Sequence, residues 1–166
     1  MPNSRQTSSI SSRRAFSFVE IIIVVAILSI LGAMVIPRFN DQSNLARVNA
    51  TVKDLRTFET AVNVYAMKNN GSMPTTNSEL QSEVEAYLPA GSTSAIPPIG
   101  GNYGFHSWSD SDSAAVAVWG ALFPTLRVEI DREIDDGNLT TGRVRSGPNN
   151  GVIFYVFGPI PATPPS

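Results

Sequence analysis

The sequence predicts an α+β protein in which one long N-terminal α-helix packs on a small antiparallel β-sheet. Three observations predict it. An apolar run from Ile21 to Ile36 passes into an amphipathic stretch that keeps helical period as far as Tyr65. Tyr103 to Trp108 and Ala114 to Trp119 are aromatic and β-branched segments flanking the turn-forming Ser109-Asp110-Ser111-Asp112-Ser113. A third such segment, Val152 to Phe157, follows Gly147-Pro148-Asn149-Asn150-Gly151.

The helix comes first. As a helix, Ile21 to Ile36 is about 24 Å long, slightly short of a bilayer core, and reaches spanning length once Phe16, Phe18 and Val19 are counted. Beyond Pro37, residues Leu45, Val48, Val52, Leu55, Phe58, Val62 and Tyr65 recur at three- and four-residue steps. Arg47, Lys53, Asp54, Arg56 and Lys68 occupy the other faces. One continuous helix from Phe16 to Asn69 is expected, membrane-spanning in its first half and amphipathic in its second. Asn69-Asn70-Gly71 ends it in residues that tolerate a left-handed backbone. Gly32 and Pro37 mark either a bend or the boundary between a membrane helix and a soluble one.

After the Gly71 to Thr76 loop, Asn77 to Tyr87 reads as a short helix. Asn77 or Ser78 is its expected cap, Glu79, Glu83 and Glu85 its solvated side, and Leu80, Val84 and Leu88 its buried side. Ala90 to Gly101, rich in Gly, Pro and Ser, is an ordered connector. Phe123 to Ile134 reads two ways. Leu126, Ile130 and Ile134 fall at helical steps behind Pro124, whereas Leu126, Val128 and Ile130 alternate as in a strand; helix is the expectation. Arg143 to Arg145 and Val152 to Phe157 form a closing hairpin, and Pro159, Pro161, Pro164 and Pro165 keep the tail out of the sheet.

Composition bounds the function. A chain of 166 residues, 42% apolar and 16% charged, holds one small domain beside its helix. The net charge is −2, and removal of a leader carrying Arg5, Arg13 and Arg14 makes the remainder more acidic, so nucleic acid is not an expected partner. With no cysteine there are no disulfide staples and no thiolate metal sites. Three leader arginines precede the apolar run and only Arg38 follows it closely, which places the N-terminus in the cytoplasm and the C-terminal domain outside.

The segment Arg13-Arg14-Ala15-Phe16-Ser17-Phe18-Val19-Glu20 puts a carboxylate at the mouth of the apolar run. An acidic residue inside a membrane costs energy unless it has a partner and a task. Cleavage after Ala15 would free an amine on Phe16, four residues from Glu20, able to pair with the Glu20 of an adjacent identical helix. In order and spacing, Ala15, Phe16, Glu20, Ile21 to Ile36 and Pro37 resemble the prepilin signature of type IV pilins and type II secretion pseudopilins. Ala15 stands where that family usually has Gly, and Ser17-Phe18-Val19 where it usually has Thr-Leu-Ile.

The resemblance implies a pilin-like domain organisation. Residues 1–15 would be a basic leader, 16–37 a transmembrane and assembly helix, and 38–166 an extracytoplasmic domain that includes the amphipathic half of the helix. It implies cleavage between Ala15 and Phe16 by a prepilin peptidase, N-methylation of Phe16, and assembly through Glu20. The implied partners are identical or related subunits, inner-membrane assembly machinery and lipid. The implied location is the bacterial inner membrane, single-pass, and then a periplasmic filament. The Gly71 to Thr76 turn with the helix ending Tyr87-Leu88-Pro89 resembles major pseudopilins, and together with the Asp-Asp-Gly segment and the lack of cysteine favours a type II secretion pseudopilin over a major or minor pilus subunit. A rival from another class is a single-pass anchored binding module, which needs only the apolar run and leaves Glu20 unexplained. An ordinary secretory signal would be cut after its apolar core, and the helical pattern that continues past that core argues against it.

No catalytic residue is assigned, and no enzyme is expected. Asp131, Asp135, Asp136 and Asn138 surround Gly137 as calcium ligands can, without the spacing of an EF-hand. The same residues also suit a tight turn in which Asp side chains cap their own backbone. Major pseudopilins carry calcium in a C-terminal loop, so calcium stays open here with no metal ligand assigned. His106, the single histidine, neighbours Ser107, but adjacent strand residues face opposite ways, so a base–nucleophile pair is not expected. Tyr103, Phe105, Trp108, Trp119, Phe154, Tyr155 and Phe157 are expected in the core and in cross-strand pairs.

Overall fold

The computed structural model describes residues 16–108, 113–120, 124–147 and 151–161, with the side chains of 35–40 and 124 excepted. The leader with Ala15, most of the Ser-Asp turn, Phe123, Pro148 to Asn150, Pro164 and Pro165 therefore lie outside the described residues. Contacts divide the chain into two units, Met1–Asn40 and Asp41–Ser166. Helix α1 (Phe18–Lys68) contributes to both.

In the first unit the apolar residues of α1 are exposed on every side of the helix, from 48% at Val24 to 67% at Met34 among those between Ile21 and Met34. Ser29, the polar exception in that stretch, donates its hydroxyl to the Val25 carbonyl at 2.7 Å and so adds no unmet hydrogen bond. No helix among the described residues is long and apolar enough to cross a membrane. Side chains of α1 are described up to Met34 and again from Asp41, and the span expected over 16–37 draws part of its length from the gap.

In the second unit a four-stranded antiparallel sheet runs in the order β1 (Asn102–Trp108), β2 (Ser113–Trp119), β4 (Val152–Phe157), β3 (Val144–Ser146). Its register aligns Phe105, Val116, Tyr155 and Val144 in one cross-strand row. That row faces α1, whose Val48, Leu55, Phe58 and Val62 join Val116, Val118, Ile153 and Phe157 in the main core. Phe58 meets Tyr103 and Phe105 edge-on, with ring centroids 5.0 and 5.7 Å away. Leu80 and Val84 of α2 (Asn77–Glu85) and Leu126 and Ile130 of α3 (Pro124–Ile134) complete the core.

The other face of the sheet is also buried. Ala115, Ala117, Val152, Phe154 and Val156 form a second cluster with Trp108 against it. Burial on both sides explains why β2 reads Ser-Ala-Ala-Val-Ala-Val-Trp rather than alternating apolar and polar residues. Trp119 departs from the expectation of a core aromatic: it is 51% exposed. Its indole lies over Gly104, where an added Cβ would fall 2.2 Å from Nε1.

The ends of the helices show what sequence pattern can and cannot resolve. Helix α1 stops in a left-handed turn at Asn70 (φ 56°), with the Gly71 amide donating back to the Ala66 carbonyl at 2.8 Å. The N-cap of α2 is Thr76, whose hydroxyl accepts from the Glu79 amide at 3.1 Å, rather than Asn77 or Ser78. The Asn77 side chain instead accepts the Ser107 amide on β1 at 2.8 Å. Glu79 is not simply solvated either: its carboxylate accepts from the Thr75 amide at 2.9 Å, the Thr75 hydroxyl at 3.0 Å and the Tyr65 hydroxyl at 3.1 Å. The ambiguous segment is helix α3, because its buried positions, Leu126, Arg127, Ile130 and Asp131, recur on one helical face.

Leu55 is fully buried at the centre of the α1–sheet contact, while Leu45 on the same helix is 51% exposed. Leu55→Ala is expected to lower the unfolding free energy by about 2–5 kcal/mol. Leu45→Ala is expected to change it by no more than about 0.5 kcal/mol. Urea unfolding followed by circular dichroism measures both.

Candidate functional site

At the start of α1 the Ser17 carbonyl accepts from the amides of Glu20 at 3.0 Å and Ile21 at 3.3 Å, opening the helix. Glu20 thus sits in the first helical turn, where the positive end of the helix dipole favours a carboxylate by about 0.3–1 kcal/mol. Phe16 precedes the helix and is 77% exposed. Local geometry therefore presents Phe16 and Glu20 on the same exposed helix start, with Ala15 outside the described residues.

The acidic cluster divides into two kinds of carboxylate. Asp135 and Asp136 belong to a loop whose hydrogen bonds are largely closed within itself. Asp136 accepts from the Thr141 hydroxyl at 2.8 Å and the Asn138 amide at 2.7 Å, and these, the Thr141 bond first, hold its carboxyl below the usual range. Asp135 accepts from the Arg143 amide at 2.5 Å. The Asn138 side-chain oxygen is taken by the Thr140 amide and hydroxyl, so it caps a turn. Asp131 differs. It is 0% exposed, and neither of its carboxylate oxygens has a hydrogen-bond partner among the described residues. Burial first, and the neighbouring Asp136 and Asp135 after it, push its carboxyl up to about 6.

One oxygen from each of Asp131, Asp135 and Asp136 lies within 4.8 Å of the others. Two oxygens each about 2.4 Å from one calcium ion are at most about 4.8 Å apart, so the three fit the calcium ion implied by the family resemblance. These residues would hold the ion, and it would supply charge neutralisation and a cross-link between the end of α3 and the following loop.

His106 and Ser107 are separated as expected. His106 packs edge-on against Trp108 and Phe154, at 4.5 and 6.0 Å between ring centroids, and burial lowers its pKa. The Ser107 hydroxyl donates to the Pro74 carbonyl on the other side.

Residues 10–36 match the prokaryotic N-terminal methylation motif. The type II secretion system core protein G of Escherichia coli K12 is 32% identical over 91 residues, which are 55% of this chain and 57% of that protein. The core protein G of Klebsiella michiganensis is 30% identical over 103 residues, covering 55% of this chain and 72% of the relative. This chain belongs to the pilin-like pseudopilin family. The pseudopilin match spans only a little over half the length of the Escherichia coli relative. A structure of the major type IV pilin PilA1 from Clostridium difficile aligns with a TM-score of 0.48 at 19% identity, covering 68% of this chain and 95% of that one.

Reading the sequence missed three polar contacts that seat the pseudopilin sheet on its helix. The Tyr103 hydroxyl donates to Asp54 at 2.8 Å, and the Tyr155 hydroxyl donates to Glu59 at 2.7 Å. Arg143 pairs with the same Glu59 at 2.7 Å. Burial, followed by the hydrogen bond to Glu59, pushes the Tyr155 hydroxyl up to about 12. No local signal marked these partners, which are separated by 49 residues or more. The Glu79 network did have a signal, the Thr76-x-x-Glu79 capping-box spacing.

The pH dependence of Asp131 has a definite sign. Its folded-state pKa, about 6, is raised above the ordinary carboxylate value of 3.8. The folded state therefore binds the extra proton between those values, and stability gained at low pH is lost as pH rises through about 6. In calcium-free buffer, Asp131→Asn is expected to show a flatter dependence of Tm on pH between 4 and 7 than the natural chain; parallel thermal melts check this.

Proposed function

We propose that this chain is a structural subunit of a type II secretion pseudopilus. Maturation would be cleavage between Ala15 and Phe16 with methylation of the Phe16 nitrogen. Residues 16–37 would anchor the subunit in the bacterial inner membrane with its N-terminus cytoplasmic, and 38–166 would lie outside. The observation that carries the reading is the Ala15-Phe16-x-x-x-Glu20 register directly before an apolar helix exposed on every side, coinciding with the methylation motif at 10–36. An apolar surface of that extent needs a covering environment, which lipid supplies before assembly and neighbouring helices supply within a filament. The family is one of structural subunits, and an assembly role requires no catalytic constellation.

Glu20 would act through charge. Removing its helix from the headgroup region into a bundle strands a carboxylate unless a cation accompanies it, and the Phe16 amine of a neighbouring subunit is one. Breaking such a pair by removing one partner costs about 3–5 kcal/mol when both are buried. Only a subunit in correct register supplies the partner, so the pair selects register as well as neutralising charge.

Mass spectrometry of the N-terminus tests the maturation step. A mature chain beginning at N-methylated Phe16 is expected, and an intact leader would favour the anchored binding module instead. Glu20→Ala is expected to insert into membranes normally while recovery of sheared filaments falls to a small fraction. Recovery at the natural level would overturn the role given to Glu20.

A further inference from the structure

We propose that Asn138 is an acceptor for an N-linked oligosaccharide, and that the fold selects it from three sequences of the same type. The inference rests on the reading that 38–166 lies outside the cytoplasm, where sugar donors carried on membrane lipid are within reach.

An asparagine followed two residues later by Ser or Thr is the acceptor pattern for N-glycosylation, and it must lie on an exposed loop. The chain carries the pattern at Asn49-Ala50-Thr51, Asn70-Gly71-Ser72 and Asn138-Leu139-Thr140. Pattern alone does not rank them. Asn49 and Thr51 lie inside α1, where residues two apart do not face each other. Thr51 is fully buried and donates its hydroxyl to the Arg47 carbonyl at 2.9 Å, so it cannot serve Asn49. Asn70 occupies the left-handed turn that ends α1, and among the described residues no hydrogen bond joins its side chain to Ser72.

The third sequence differs from both. Oδ1 of Asn138 accepts from the Thr140 hydroxyl at 2.7 Å and from the Thr140 amide at 3.2 Å. Asn138 and Thr140 are exposed, while Leu139 between them packs against the main core. The turn is thus pinned by its middle residue and displays the two that flank it. Its backbone is fixed on either side, because the Ser146 amide donates to the Leu139 carbonyl at 2.9 Å and Asp136 accepts from the Asn138 amide at 2.7 Å. Nδ2 of Asn138 makes no hydrogen bond among the described residues. The atom that would react is the one left unengaged.

An amide nitrogen is a weak nucleophile because its lone pair is shared with the carbonyl. Two donors on Oδ1 stabilise the negative charge that gathers there as Nδ2 gives a proton to a base of the transferase. Nδ2 then attacks the anomeric carbon of a polyprenyl-pyrophosphate-linked oligosaccharide. A C–N bond forms, the anomeric C–O bond breaks, and the polyprenyl pyrophosphate leaves with that electron pair.

The test incubates the full chain in detergent micelles with a purified oligosaccharyltransferase and its polyprenyl-pyrophosphate-linked oligosaccharide, and reads tryptic peptides by mass spectrometry. The peptide Glu133 to Arg143 is expected to gain the mass of one oligosaccharide, and the peptides carrying Asn49 and Asn70 are expected to stay unmodified. Thr140→Val keeps the side-chain shape without the hydroxyl and is expected to lose the modification, whereas Thr140→Ser keeps the donor and is expected to retain it. Thermal melts establish that both variants are folded. Three results would overturn the proposal: an unmodified Asn138 in the natural chain, sugar on Asn49 or Asn70 at the level found on Asn138, or natural modification of Thr140→Val. In micelles the transferase reaches the domain whichever side of the membrane it occupies in the cell, so such a failure leaves the placement of 38–166 standing. Protease access in spheroplasts tests that placement separately.

Discussion

The domain depends on one contact, the apolar stripe of α1 from Val48 to Tyr65 against the inner face of the sheet. Each of the other elements is arranged to seal it. Helix α2 brings in Leu80 and Val84, α3 brings in Leu126 and Ile130, and Phe58 meets the rings of Tyr103 and Phe105 edge-on. Polar atoms at the rim are matched to the same geometry. Tyrosines at 103 and 155 lay their rings in the core and extend hydroxyls to Asp54 and Glu59 on the helix, so each buried apolar ring also reports the helix's rotation. A turn of α1 about its axis would lose the apolar stripe and both hydrogen bonds together.

The two units of the chain use helix in different ways. Within Asp41–Ser166, α1 is amphipathic and its stripe is consumed by the core. Within Met1–Asn40 the described apolar side chains from Ile21 to Met34 are exposed on all sides and none is buried, so that segment has no stripe to orient it. A helix without a preferred face is suited to surroundings that contact it from many directions. In the proposed assembly Glu20 would supply the directional element such a segment otherwise lacks, because a charge must find its partner at one position along the axis.

Asp131 illustrates how tertiary structure changes the meaning of a motif. As a string, Asp131 to Asn138 suits either an ion site or a self-capped turn, and Asp136 and Asn138 do behave as turn residues. Helix α3 separates Asp131 from them by directing it to the core side, where no donor among the described residues meets it. The distinction rests on helical phase: Ile130 and Asp131 are neighbours on the buried face, while Asp135 and Asp136 continue into the exposed loop.

Sequence by itself determined the long helix, its change from apolar to amphipathic near Pro37, the two hairpins and the motif before Glu20. Each is written in local periodicity or in contiguous spacing, and both survive without knowledge of neighbours. Tertiary structure decided that β2 is buried on both faces, that Trp119 stays exposed over Gly104, that Thr76 rather than Asn77 caps α2, and that Asp131 is orphaned while Asp136 is satisfied. The contacts of Asp54 and Glu59 with the sheet belong here too. The physical reason is common to them: which polar atom finds a partner, and which face is covered, depends on chain segments brought together from far apart, and no local pattern encodes that meeting.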